Sequence, residues 1–170
     1  GNEPSSPAST RPSASSPAET AGAAAADAGL ALAAPVRAET CDPKPAFDAF
    51  VNAIRTNDSA GLAAMTMDSP DVVFLGTDGK ERWVGHDAML AAFDAQLAAF
   101  KTTGIDVSDA VVQTSPSCDA AIFSSIWNWH ISESGKDMAL DGLRVTGAFI
   151  RDGGNWRLAQ FHFSVPVGGQ

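Results

Sequence analysis

The sequence predicts a single α+β domain in which helices pack on one face of a curved antiparallel sheet. Three observations carry that expectation. Apolar residues recur at helical spacing between 42 and 66 and again between 86 and 100. A short turn-centred hairpin separates those two stretches. Residues 104 to 167 then form three long runs with strand character, broken at Pro116-Ser117, at Ser134-Gly135-Lys136-Asp137 and at Asp152-Gly153-Gly154-Asn155.

In chain order, Asp42-Pro43 reads as a helix start, with Asp at the cap and Pro at the first helical position. Phe47, Phe50, Val51 and Ile54 give this helix one apolar stripe, and it should end near Thr56-Asn57. Asp58 or Ser59 caps a short second helix whose Leu62 and Met65 point the same way. Asp71 to Leu75 reads as a strand, Thr77-Asp78-Gly79-Lys80 as a turn, and Arg82-Trp83-Val84 as the returning strand. A third helix begins after Gly85-His86-Asp87 and buries Met89, Phe93, Leu97 and Phe100, with Gly104 just past its end. In the last strand, from Trp156 to Pro166, the odd positions from 159 on are apolar, while Gln160, His162 and Ser164 share the other face.

Gly1 to Thr40 are dominated by Ala, Pro and Ser and contain no aromatic residue. Such a segment buries too little surface to offset its ordering entropy, so it is expected to be a mobile tether ahead of a folded unit at 41–170. A tether of this kind before a compact domain is what the mature region of an exported bacterial lipoprotein looks like. Export, to the periplasm or to a lipid anchor at the cell surface, is therefore the expectation. The net charge is −9, of which −2 falls in residues 1–40 and −7 in the remainder. That balance argues against nucleic acid or anionic membrane as partner. No window approaches the length of a transmembrane span.

The two cysteines, Cys41 and Cys118, fit no zinc or redox motif. In an oxidising compartment they would close a long loop worth roughly 4 kcal/mol on the chain-entropy account; the alternative is two unrelated buried thiols. His86, His130 and His162 fall on three separate elements without a close-spaced ligand pair, so neither a metal site nor a cofactor is expected.

The order of elements, together with Phe74-Leu75-Gly76-Thr77-Asp78-Gly79-Lys80-Glu81-Arg82-Trp83-Val84-Gly85, Arg144-Val145-Thr146-Gly147 and the strand from Trp156 to Pro166, resembles the SnoaL-like branch of the nuclear transport factor 2-like superfamily. Ketosteroid isomerases and polyketide cyclases share that fold. The resemblance covers Pro45 to Pro166 and implies a cone-shaped sheet with three helices on its concave face. It also implies homodimers, which are common among such families. The isomerase mechanism is not implied. The position of its catalytic aspartate falls at or near Gly76, and with no Tyr in the chain the oxyanion donor cannot be reproduced.

Pairing the last two strands from Ile150 with Trp156 gathers Arg144, Thr146, Gln160, His162 and Ser164 on one face, with Val145, Phe149, Phe161 and Phe163 on the other. A strand that is greasy on one side and polar on the other can wall a cavity with a polar floor. The expected guest is a small apolar or weakly acidic molecule, clamped by Arg144 with His162 beside it. Among the indoles, Trp83 and one of Trp127 or Trp129 are expected to line the pocket, whereas Trp156 is expected in the core. Which face of the strand from 121 to 131 looks inward stays open.

Three functions are compatible with this reading. The first is binding of a small molecule without an assigned reaction. The second is a cyclase, isomerase or dehydratase chemistry in which His162 exchanges a proton beside Arg144. The third is an assembly module whose cavity is filled by its own side chains and whose sheet forms a dimer interface. Ile122 and Ile126 on one face of their strand, against Phe123, Trp127, Trp129 and Ile131 on the other, supply the reason for the third. One face can meet the helices and the other needs a cover.

Overall fold

The computed structural model describes residues 41–166. The tether expected at residues 1–40 lies outside them. Three helices, α1 (Lys44–Arg55), α2 (Ser59–Met65) and α3 (His86–Ala99), accompany six strands: β1 (Val73–Leu75), β2 (Arg82–Val84), β3 (Lys101–Thr114), β4 (Ala120–Glu133), β5 (Lys136–Asp152) and β6 (Asn155–Ser164). The strands form one sheet in the order β2-β1-β6-β5-β4-β3. All neighbours are antiparallel except β1 and β6, which run parallel, so the sheet is mixed rather than purely antiparallel.

Local chemistry accounts for the element ends. Asp42 Oδ1 accepts from Lys44 N–H at the start of α1, although Pro43 and not Asp42 is the cap position. Asp58 Oδ1 accepts from Gly61 N–H and caps α2. Asn57, in the left-handed region at φ 53°, donates to the carbonyls of Leu97 and Phe100 and accepts from Thr102 N–H. One side chain thereby ties the end of α1 to the passage from α3 into β3. That passage is direct: Phe100 is already extended, and Gly104 is a β3 residue paired with His130 rather than the helix cap the sequence predicts. Between β5 and β6, Gly153 and Gly154 at φ 53° and 85° make the two-residue turn that only residues tolerant of positive φ can form.

Four register shifts bend the sheet: two between β3 and β4, one between β4 and β5, and one between β5 and β6. The last changes the expected pairing. Ala148 pairs with Gln160 but Phe149 with Leu158, so Ala159 is the extra residue. Arg144 therefore faces Ser164 and Thr146 faces His162, two places from the predicted partners. The turn contributes one place and the bulge another, so the two face sets survive intact.

The helices lie on the side of the sheet that carries Phe123, Trp127, Trp129, Val145, Phe149, Phe161 and Phe163, all at most 5% exposed. Phe50 of α1 touches Phe123, Trp127 and Phe161, and Phe93 of α3 stacks on Phe74 and Phe161. Cys41 and Cys118 form a disulfide with Cα atoms 5.6 Å apart, joining the start of α1 to the turn between β3 and β4.

Candidate functional site

The interior of the cone is where the sequence places a pocket, and it is occupied by aromatic rings. Phe161 lies 4.2 Å from Phe74, 5.2 Å from Phe93 and 5.4 Å from Phe50 between ring centres. Phe163 continues the cluster to Trp127 and Trp129 at 5.7 and 5.6 Å. Trp83, half-buried, stacks on Phe74. The three indoles expected as pocket lining are thus members of, or packed on, one continuous core.

The polar groups in that core are satisfied internally. Trp127 Nε1 donates to Ser125 Oγ at 2.8 Å, Trp129 Nε1 to Thr102 Oγ1 at 3.1 Å, and Thr66 Oγ1 to the Leu62 carbonyl. These are the buried hydroxyls among the described residues, and none of them waits for a guest. The exception among buried donors is Trp156 Nε1, which has no partner. That indole is half-buried at the edge of β6, with the Arg151 guanidinium 5.7 Å above its ring. It packs against the core, where the sequence expects it, and also borders a groove of about 390 Å³ between α1, α2 and β6.

Arg144, Thr146, Gln160, His162 and Ser164 do share one face, as the alternation requires. That face is the outer one, away from the helices. Arg144 and Thr146 are exposed, and Gln160, His162 and Ser164 are half-buried. The predicted polar cavity floor is therefore corrected to a polar patch on the outside of the sheet. The physical reason is the demand of the helices. The apolar stripes of α1 and α3 must be covered, and the set with Phe161, Phe163, Val145 and Phe149 covers far more apolar area than the polar set could.

The pairings arrange the outer face in rows. One runs Val84, Val73, Gln160, Ala148, Ile122, Gln113 across all six strands. The next runs Arg82, Leu75, His162, Thr146, Ser124, Val111, and a third runs Ser164, Arg144, Ile126, Ser108. Ile122 is 59% exposed, Val111 48% and Val84 41%. Val111, Ile122, Ser124, Thr146, Ala148 and Gln160 border a shallow depression of about 330 Å³ on this face. The sequence reading saw Ile122 and Ile126 but missed Val84 and Val111, whose place in the rows depends on the β1–β6 pair and the β3 bulge.

Two of the histidines have a carboxylate nearby. His130 Nε2 sits 3.6 Å from Asp106 Oδ2 on the outer face, and His86 Nδ1 lies 3.3 Å from Asp87 Oδ1 at the start of α3. Asp119 is held below the usual carboxylate range by hydrogen bonds from Ser115 and Ser117, in a fully exposed turn. Among the described residues no group of three or more His, Cys, Asp or Glu side chains is placed to hold a metal ion. No helix among them is long and apolar enough to cross a membrane.

Residues 44–168 match the SnoaL-like domain family. A search of curated proteins returns no match. Among solved structures, a nuclear transport factor 2-like protein of unknown function in nutrient uptake from Rhodospirillum rubrum is 24% identical, with TM-score 0.61, over 74% of this chain and 99% of its own. A ketosteroid isomerase-like protein from Erwinia carotovora atroseptica is 19% identical, with TM-score 0.61, over 76% and 97%. A Xanthomonas campestris protein named for the association domain of calcium/calmodulin dependent protein kinase II is 20% identical, with TM-score 0.62, over 74% and 86%. At these identities the likeness is one of fold.

Proposed function

The chain belongs to the SnoaL-like domain family, and from that premise we propose that this member is an assembly domain that self-associates through the outer face of its sheet. The observation that carries the proposal is the contrast between the two sides of the sheet. The helix side is filled by its own rings, with the Trp127 and Trp129 indoles and the buried hydroxyls paired, whereas the outer side leaves Val84, Val111 and Ile122 in water along two adjacent rows. A guest in the cone would have to displace Phe161 or Trp127, each fully buried. A second copy laid on the outer face displaces nothing but water. The fold likeness to a protein named for an association domain agrees with this use of the architecture.

Binding of a small apolar or weakly acidic molecule, and a cyclase, isomerase or dehydratase reaction using His162 with Arg144, both relied on those two side chains pointing inward. Neither reading keeps that support. The Cys41–Cys118 disulfide favours an oxidising compartment and so the exported location, where such bonds persist.

The test is the mass of the full chain in solution at micromolar concentration, by light scattering or sedimentation. A dimer is expected. Ile122→Asp, at an exposed position that leaves the core alone, should weaken it at least about a hundredfold. Each protomer then loses a buried Ile worth about 1.5–3 kcal/mol and gains a desolvated carboxylate. A wild-type monomer at tens of micromolar defeats the proposal.

A further inference from the structure

The Cys41–Cys118 bond lies at the surface, and its two sulfurs have unlike surroundings. Cys41 is exposed and precedes α1, whereas Cys118 is half-buried in the turn between β3 and β4, where its N–H donates to the Ser115 carbonyl. Each has an aspartate beside it in the chain. Asp42 Oδ1 accepts from Lys44 N–H, and Asp119 Oδ1 accepts from the Ser115 and Ser117 hydroxyls. What distinguishes the two sulfurs is Arg151. Its Nη1 donates to Cys118 Sγ at 3.4 Å, and no cation among the described residues is hydrogen-bonded to Cys41 Sγ.

Arg151 is held in that place from two sides. Its backbone N–H donates to the Asp119 carbonyl at 2.8 Å, which fixes the end of β5 to the Cys118 turn. Its guanidinium carbon lies 5.7 Å from the centre of the Trp156 ring. Asp42, Arg151 and Trp156 border one open groove of about 560 Å³. The residue after Cys41 and the residue bonded to Cys118 thus face the same groove, and a small solute in it lies beside the bond.

We propose that this disulfide is a thiol-exchange site: the thiolate of a small external thiol attacks Cys41 Sγ, and Cys118 departs as a thiolate held by Arg151. The new bond joins the external sulfur to Cys41. The Cys41–Cys118 bond breaks, and its electron pair leaves with Cys118 Sγ. A second thiolate then attacks the external sulfur, frees Cys41 as a thiolate and carries away the external disulfide, so two thiols are oxidised for each bond reduced. Exchange is faster the better the departing thiolate is stabilised, and a guanidinium in contact with the sulfur supplies that stabilisation. Departure of Cys41 instead would place the charge beside Asp42 with no contacting cation, and would need attack at the less exposed residue. Exposure and Arg151 together favour a bond that opens in the folded protein over a crosslink that survives until the chain unfolds.

The experiment follows reduction of the oxidised full chain by glutathione at neutral pH, with the mixed disulfide trapped by acid and located by peptide mass mapping. Wild type, Arg151→Gln and Arg151→Lys are compared in the folded state and in concentrated urea. Glutathione is expected on Cys41, at a rate that rises in proportion to its concentration. Arg151→Gln should slow the folded reaction about three- to tenfold, and Arg151→Lys should slow it less. In urea, where the contact is gone, the three proteins should react at one rate. Four results would each overturn the proposal: glutathione chiefly on Cys118, folded Arg151→Gln reacting as fast as the wild type or faster, a rate set by unfolding rather than by glutathione, or a difference that persists in urea.

Discussion

Replacing Phe161 by Ala tests most directly which side of the sheet is the core. Phe161 is fully buried at the centre of β6 and meets Phe50, Phe74, Phe93 and Phe163, so its ring bridges α1, α3, β1 and β6. A buried Phe→Ala change costs about 3–5 kcal/mol through lost transfer energy and the cavity left behind. Four ring contacts, each worth about 0.5–1.5 kcal/mol beyond area, put this site at the upper end, about 5 kcal/mol. Collapse is resisted because the neighbouring rings come from four different elements. For a domain of this size about 4 °C is lost per kcal/mol, so the melting temperature should fall by roughly 20 °C. The assay is thermal unfolding followed by far-ultraviolet circular dichroism, with Arg144→Ala on the outer face as the partner variant. Arg144 is exposed, and its loss should shift the midpoint by no more than about 2 °C. A small effect for Phe161→Ala with a large one for Arg144→Ala would mean that the two faces have been assigned the wrong way round.

Two further outcomes follow from particular contacts. Cys41 and Cys118 are 77 residues apart, so replacing both by Ser should cost about 4.5 kcal/mol by loop-closure entropy, read as a loss of roughly 15–20 °C; two free thiols by non-reducing mass analysis of protein prepared under oxidising conditions would contradict the bond itself. Gly147→Ala would place a methyl group 2.4 Å from Phe123 Cζ and 2.6 Å from the Gln160 carbonyl oxygen, and should destabilise by about 1–3 kcal/mol in denaturant titration, whereas an unchanged midpoint would show that β5 and β6 can part to admit it.

Most of the fold was legible because its signals are local. The stripe Phe47, Phe50, Val51, Ile54, the Asp58 cap and the Gly153-Gly154 turn each depend on a few adjacent residues. The division of β5 and β6 into two face sets was also legible, since side-chain alternation is insensitive to a register error of two. What the sequence could not convey was which set faces the helices. His162 and Arg144 beside large rings resemble the floor of a pocket when one hairpin is read alone. The answer depends on the total apolar demand of α1 and α3, and on Phe74 and Phe93 arriving from distant parts of the chain. The bulge at Ala159 left no mark in the alternation beyond the change from even Leu158 to odd Phe161. The parallel pairing of β1 with β6 joins segments more than eighty residues apart, and so the rows that bring Val84 and Ile122 into line were invisible.

The disulfide also decides how the domain carries a mechanical load. Cys41 lies just ahead of α1, and its partner Cys118 lies just ahead of β4. Tension applied ahead of Cys41 would otherwise be delivered to the first turn of α1, a helix that can be peeled off one residue at a time. With the bond in place the force bypasses α1, α2, α3 and the first three strands, which hang slack in a covalent ring. It enters the sheet at the start of β4, which is paired to β3 on one side and β5 on the other. A domain held by its amino-terminal side would thus keep its helices seated while under strain, and reduction of one bond would turn a resistant structure into one that unravels from its end.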